Sequence, residues 1–162
     1  MQPAIQQFNE YLQQLVDLDV DYQVDSSYRD VEKDLEEIVE NYEEARPVLG
    51  RGRQPLQPPI YDLTIYYPIS RRGELPPSPV TYRSPNPITP ADLIESIGAV
   101  YRSPLSQQNI DAYIRIGPDY TDLNSPILRG KIMGGPKLRD VVGGHPAALI
   151  PYQNGYLLRL DR

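Results

Sequence analysis

Asp17, Asp19 and Asp21 stand at alternate positions and match the first three ligand positions of an EF-hand loop, so calcium is the first chemistry to weigh. The match fails further along. The sixth loop position is Tyr22 where a glycine makes the turn, and the twelfth is Tyr28 where a bidentate glutamate closes the cage. The segment 17–24 instead alternates polar with apolar residues, the pattern of a half-buried strand or an extended connector.

His145 is the single histidine and lies between Gly144 and Pro146, as in a loop. One imidazole does not make a metal cluster. The run Gly130 to Lys137 has glycines and lysines but neither the spacing nor the Ser/Thr of a phosphate loop, and reads as turn geometry. Glu32, Glu36, Glu37, Glu40, Glu43 and Glu44 crowd one region, where an amphipathic helix would hold them in water with ordinary acidity. They suit docking to a basic partner better than acid catalysis. With no cysteine, a disulfide framework, a thiolate metal site and a cysteine nucleophile are all excluded. The expectation is a protein that is not an enzyme and uses no cofactor.

The elements that would carry these residues follow from hydrophobic spacing. Ile5, Phe8, Leu12 and Leu15, flanked by Tyr11 and Val16, predict a helix over 3–16. Ser27 with Asp30 is a capping box, and Val31, Leu35, Ile38 and Tyr42 carry a second helix over about 28–45, to the stop expected at Pro47. Residues 47–87 hold ten of the 18 prolines, a composition that reads as an extended arm. Inside it, residues 60–67 predict one strand at a sheet edge, while 82–87 read as loop or polyproline.

Thr89, Pro90 and Asp92 cap a helix buried through Leu93, Ile94, Ile97, Val100 and Tyr101. Ser106, with the Leu105/Ile110 staple, starts another that runs to Gly117, and the two predict a tight helical pair. Further apolar runs follow at 127–133 and 138–142, and Asn154-Gly155 between apolar runs predicts a terminal antiparallel hairpin.

The fold class expected is α+β, with the helical pair on a small antiparallel sheet. It divides into an acidic helical arm (1–46), a proline-rich segment with one strand (47–86) and a compact α+β domain (87–162). Charge divides with it, since residues 1–46 carry 13 acids against three bases, a balance of −10, and residues 47–162 carry nine against 13, a balance of +4. No apolar run approaches the ~18 residues of a membrane span, and the first ten residues lack the pattern of a signal peptide. A soluble chain, intracellular at synthesis, is expected.

Two stretches have the look of a known domain. Pro87-Ile88-Thr89-Pro90-Ala91-Asp92-Leu93-Ile94 leads to Ala99-Val100-Tyr101-Arg102-Ser103-Pro104-Leu105-Ser106, and Arg129-Gly130-Lys131-Ile132-Met133-Gly134 leads to Asn154-Gly155-Tyr156-Leu157-Leu158-Arg159-Leu160. Together, over residues 87–162, they resemble a small domain of virion and uncharacterised proteins of nucleocytoplasmic large DNA viruses, seen also in fungal proteins of unknown function. The resemblance implies a structural role in a virion, or in the host cytoplasm, and brings no catalytic residue.

The partners expected are other protein subunits, either capsid proteins or further copies of the chain. Candidate contacts are the stripe Val31, Leu35, Ile38 and Tyr42, the strand residues Tyr61, Ile65 and Tyr66, and the basic residues Arg51, Arg53, Arg71 and Arg72, which could meet the acidic helix of a neighbouring copy. The segment 55–59 and the run 76–79 offer a second route, as proline ligands for an adaptor. A nucleic-acid partner is disfavoured, because the helix after Ser106 would present only Arg115 to phosphates.

Overall fold

Ile5, Phe8, Leu12 and Leu15 all face inward from α1 (Pro3–Asp17), where each is at most 1% exposed, while Val16 points to solvent. The computed structural model describes residues 1–117, 120 and 136–161. After α1 the chain turns at Asp19, in the left-handed region, and the 17–24 segment forms no strand. It drops Tyr22 and Val24 into the core, and the Val24 amide donates to the Gly144 carbonyl at 3.0 Å.

The capping box of Ser27 and Asp30 starts α2 (Tyr28–Asn41). This helix ends before Tyr42, and a 3-10 turn (Glu43–Ala45) leads directly into α3 (Arg46–Arg51). Pro47, expected to stop a helix, sits in the first turn of one, where its missing N–H costs nothing.

The strands are β1 (Asp62–Tyr67), β2 (Ser78–Arg83), β3 (His145–Tyr152) and β4 (Gly155–Asp161). Their order is β2-β1-β4-β3. The sheet is mixed rather than purely antiparallel: β1 pairs antiparallel with β2 but parallel with β4, and β3 with β4 forms the terminal hairpin. The strand expected at an edge is therefore central, with β2 outside it in a stretch where polyproline was expected.

Both remaining long helices start at their expected caps, α4 (Pro90–Tyr101) on the Thr89/Asp92 box and α5 (Gln107–Ile116) on Ser106. Rather than pairing tightly with α5, α4 meets α2 and the short α6 (Leu138–Val141). The expected run at 127–133 lies outside the described residues.

Side chains from all three predicted segments meet in one buried cluster, among them Phe8, Leu35, Leu56, Ile65, Ile97 and Leu158. Proline content restricts regular structure but does not prevent burial, provided the non-proline amides find partners. Here they do. Leu56 N–H donates to the Ile88 carbonyl, Ile88 N–H to Ile60 and Ala91 N–H to Gly52, at 2.8–2.9 Å.

The front half is further fixed where α2 begins. Tyr28 N–H donates to the Glu95 carboxylate, Arg102 Nη1 donates to the Asp25 carbonyl at 2.8 Å, and Arg139 pairs with Asp25. Gly98 is the contact point, because a Cβ there would lie 2.5 Å from the Ser26 carbonyl oxygen.

Candidate interaction surfaces

Alternation along β3 and β4 gives the sheet two faces. Leu149 opposite Leu158 faces the helices and is buried, whereas Ile150 opposite Leu157, itself beside Tyr66 of β1, forms a row on the other face. Tyr66 lodges edge-on against Tyr152 with centroids 4.9 Å apart. Ile150 remains 36% exposed, and a groove of about 370 Å³ opens over it, walled by Leu75 and Pro77 and bordered by Arg71, Arg72 and Arg159.

One border residue is built in firmly. Arg71 donates from its backbone to the Tyr120 hydroxyl at 2.7 Å and from Nε to the Val141 carbonyl at 3.1 Å, and its guanidinium lies 4.8 Å from the Tyr120 ring centroid. The exposed Glu74 carboxyl is held below the usual carboxylate range, first by its own backbone N–H and then by the Arg72 backbone N–H and the Tyr120 hydroxyl. Arg71, Arg72 and Arg159 thus border an apolar floor, with the Glu74 carboxylate close to Arg72. The groove's chemistry suits an apolar side chain flanked by carboxylates.

The second surface is the outer face of α2 and the turn after it. Glu37, Glu40 and Glu44 are exposed and make no ion pair among the described residues, and Tyr42 stands among them half exposed. Glu32 is different: Arg53 reaches it at 2.7 Å and Arg29 at 3.0 Å, so its carboxyl titrates below the usual range, with the Arg53 hydrogen bond as the main cause. Arg53 also covers the Tyr28 ring at 5.0 Å. Of the four arginines expected to meet the acidic helix of a neighbouring copy, Arg53 pairs with its own α2.

The sequence-predicted contact residues fall into separate places. Val31, Leu35 and Ile65 are fully buried and serve the chain's own core, and Tyr66 is nearly so. Ile38 is half-buried, because the inward stripe runs through Val39 instead. Tyr42 and Tyr61 are each 50% exposed. Arg51 borders a pocket between α1 and the 51–57 segment, lined by Gln7, Gln14, Gln54 and Gln57. Arg71 and Arg72 alone are brought to the groove; its floor residues Ile150, Tyr152 and Leu157 went unrecognised, although strict alternation in the hairpin was the available signal.

Among the described residues no group of three His, Asp or Glu side chains is placed to hold a metal ion, and no helix is long and apolar enough to cross a membrane. Comparison with family models, with characterised proteins and with solved structures finds no match to this chain.

Proposed function

We propose that the chain is a non-enzymatic structural protein that joins neighbouring protein subunits, as a minor capsid or virion-associated component. The observation that carries this reading is the presence of two complementary surfaces on elements that share one core: an arginine-bordered apolar groove on the sheet and an acidic helix face bearing Tyr42. A subunit with one surface of each sign links two partners at once. The groove accepts an acidic, apolar segment, and the α2 face presents one.

The alternative, an adaptor recognised through its prolines, draws support from Pro76 and Pro79, which are exposed. The 55–59 segment supports it less, since Leu56 is buried and Gln57 N–H is taken by the Gln7 side chain at 2.9 Å. Quantitative mass spectrometry of purified particles separates the two. A structural component is present in fixed ratio to the shell protein, with cross-links from Arg72 or Arg159 of the groove border; absence, or a variable trace amount, overturns the proposal.

A further inference from the structure

The two edges of the sheet are treated in opposite ways. At β3 the edge is closed, because the Asn9 side chain on α1 bonds both backbone groups of Leu149. Proline and a register shift between Pro146 and Ala148 interrupt it further. At β2 nothing comparable is found among the described residues, and five of its six residues are exposed.

Which amides face outward follows from one bond. Ser84 N–H donates to the Tyr61 carbonyl at 2.9 Å, which places that pair at a hydrogen-bonded position, and alternation then assigns Leu63/Tyr82 and Ile65/Val80 to the bonded class. Thr64 and Thr81 fall in the close, non-bonded class, in agreement with their hydroxyl oxygens at 2.8 Å. The N–H and C=O of Thr81 and Arg83 therefore point away from β1, and neither residue has a backbone partner on that side among the described residues. Unpaired strand groups of this kind template the addition of another strand.

We infer that β2 is the site at which a second copy of this chain adds, antiparallel, through its own β2. The strand is self-complementary about a twofold axis at Tyr82. There Thr81 faces Arg83 of the second copy, and each pair exchanges both of its amide bonds. A twofold at Thr81 would set Arg83 against the second copy's Pro79, whose ring occupies the place of the needed N–H. Pro79 thus selects the register.

Side chains agree with this arrangement. Val80 is 44% exposed and Tyr61 50% exposed. Tyr61 lies beside Ser84 in the register, and Ser84 would face the second copy's Val80, so small Ser84 lets the Tyr61 ring reach that valine and both are covered. Arg83, the only charge on β2, has Asp62 opposite it on β1 and does not face its symmetry mate.

The experiment is sedimentation equilibrium on the full chain with two variants. The chain sediments as a dimer, at twice 18.4 kDa, toward high concentration. Thr81→Pro removes the outward N–H and leaves the backbone bonds to β1 in place, losing on that side only the Thr64 hydroxyl contact, so the dimer dissociation constant rises about tenfold or more. In this cysteine-free chain Tyr82→Cys, treated with a mild thiol oxidant, forms a disulfide dimer, since non-bonded cross-strand pairs hold Cα atoms about 4.5 Å apart, within disulfide reach, whereas Pro79→Cys does not. A monomer at every concentration overturns the inference, even one that takes up a foreign extended peptide. So does a dimer indifferent to Thr81→Pro, or equal cross-linking at both cysteine positions; should Thr81→Pro not fold, the cysteine pair decides.

Discussion

The carboxamide of Asn9 donates to the Leu149 carbonyl at 2.9 Å and accepts from the Leu149 amide at 2.8 Å, across 140 residues of sequence. One α1 side chain thereby takes the place of a neighbouring strand, pins the first helix to the last hairpin and closes that edge of the sheet.

Asn9→Leu leaves both groups of Leu149 unpaired beneath α1. A loss of about 1–3 kcal/mol follows from an unsatisfied, partly buried donor and acceptor. Urea unfolding gives the magnitude, and faster exchange of the Leu149 amide gives the location.

Gly52 shows the cost of crowding at the junction of α1, α2 and α3. A Cβ on it would lie 1.7 Å from the Tyr28 hydroxyl and 2.9 Å from that of Tyr11, two buried hydroxyls that have no partner beyond each other among the described residues. Gly52→Ala is expected to destabilise by about 1–3 kcal/mol through overpacking. Tyr28→Phe removes the nearest obstacle, and the double variant recovers part of the loss but not all of it, because the Tyr28 ring carbon Cζ would still lie 2.6 Å from the new Cβ. Equal losses in the single and double variants would show that the hydroxyl is not the obstacle.

Buried phenols set the behaviour in alkali. Burial pushes Tyr11, Tyr22, Tyr67 and Tyr101 far above the usual phenol range, and Tyr113 up to about 12. Each group has a folded-state pKa above its unfolded value, so its contribution is complete below the unfolded pKa of about 10 and is lost as pH rises from there through the folded value. Denaturant midpoints should hold steady up to about pH 9 and fall steeply beyond about pH 10, with tyrosinate absorbance appearing together with loss of helix. Absorbance that titrates fully before any unfolding would contradict the burial.

Elements announced by adjacent residues could be read from the sequence. The Ser27/Asp30 and Thr89/Asp92 boxes start their helices, and the hairpin forms where Asn154-Gly155 predicts one. What escaped depends on distant partners. β2 is a strand because β1 lies beside it, β1 is central because β4 joins it from near the other end of the chain, and Ile38 gives way to Val39 because the position of the core selects the stripe. The groove shares this origin, since it forms only once the 68–77 loop lies beside the outer face of the hairpin.

The hairpin glycine illustrates the same limit. The turn residues are Gln153 and Asn154, with Gln153 in the left-handed region, and Gly155 already belongs to β4, where a Cβ would lie 2.2 Å from the Thr64 carbonyl oxygen. Its smallness serves strand approach rather than turn geometry. Gly155→Ala should therefore cost about 1–3 kcal/mol while Gln153→Gly is tolerated, with thermal unfolding as the check.

The account stands on residues 1–86 sharing one core with residues 87–117, 120 and 136–161, so that the docking surfaces belong to a single rigid body. Native-state amide hydrogen exchange on the isolated chain in dilute buffer tests this most directly. Leu35 and Ile65 should exchange only through the same global opening as Ile97 and Leu157. Rapid exchange at Leu35 and Ile65, with Ile97 and Leu157 still protected, would show a front half that does not settle without a partner.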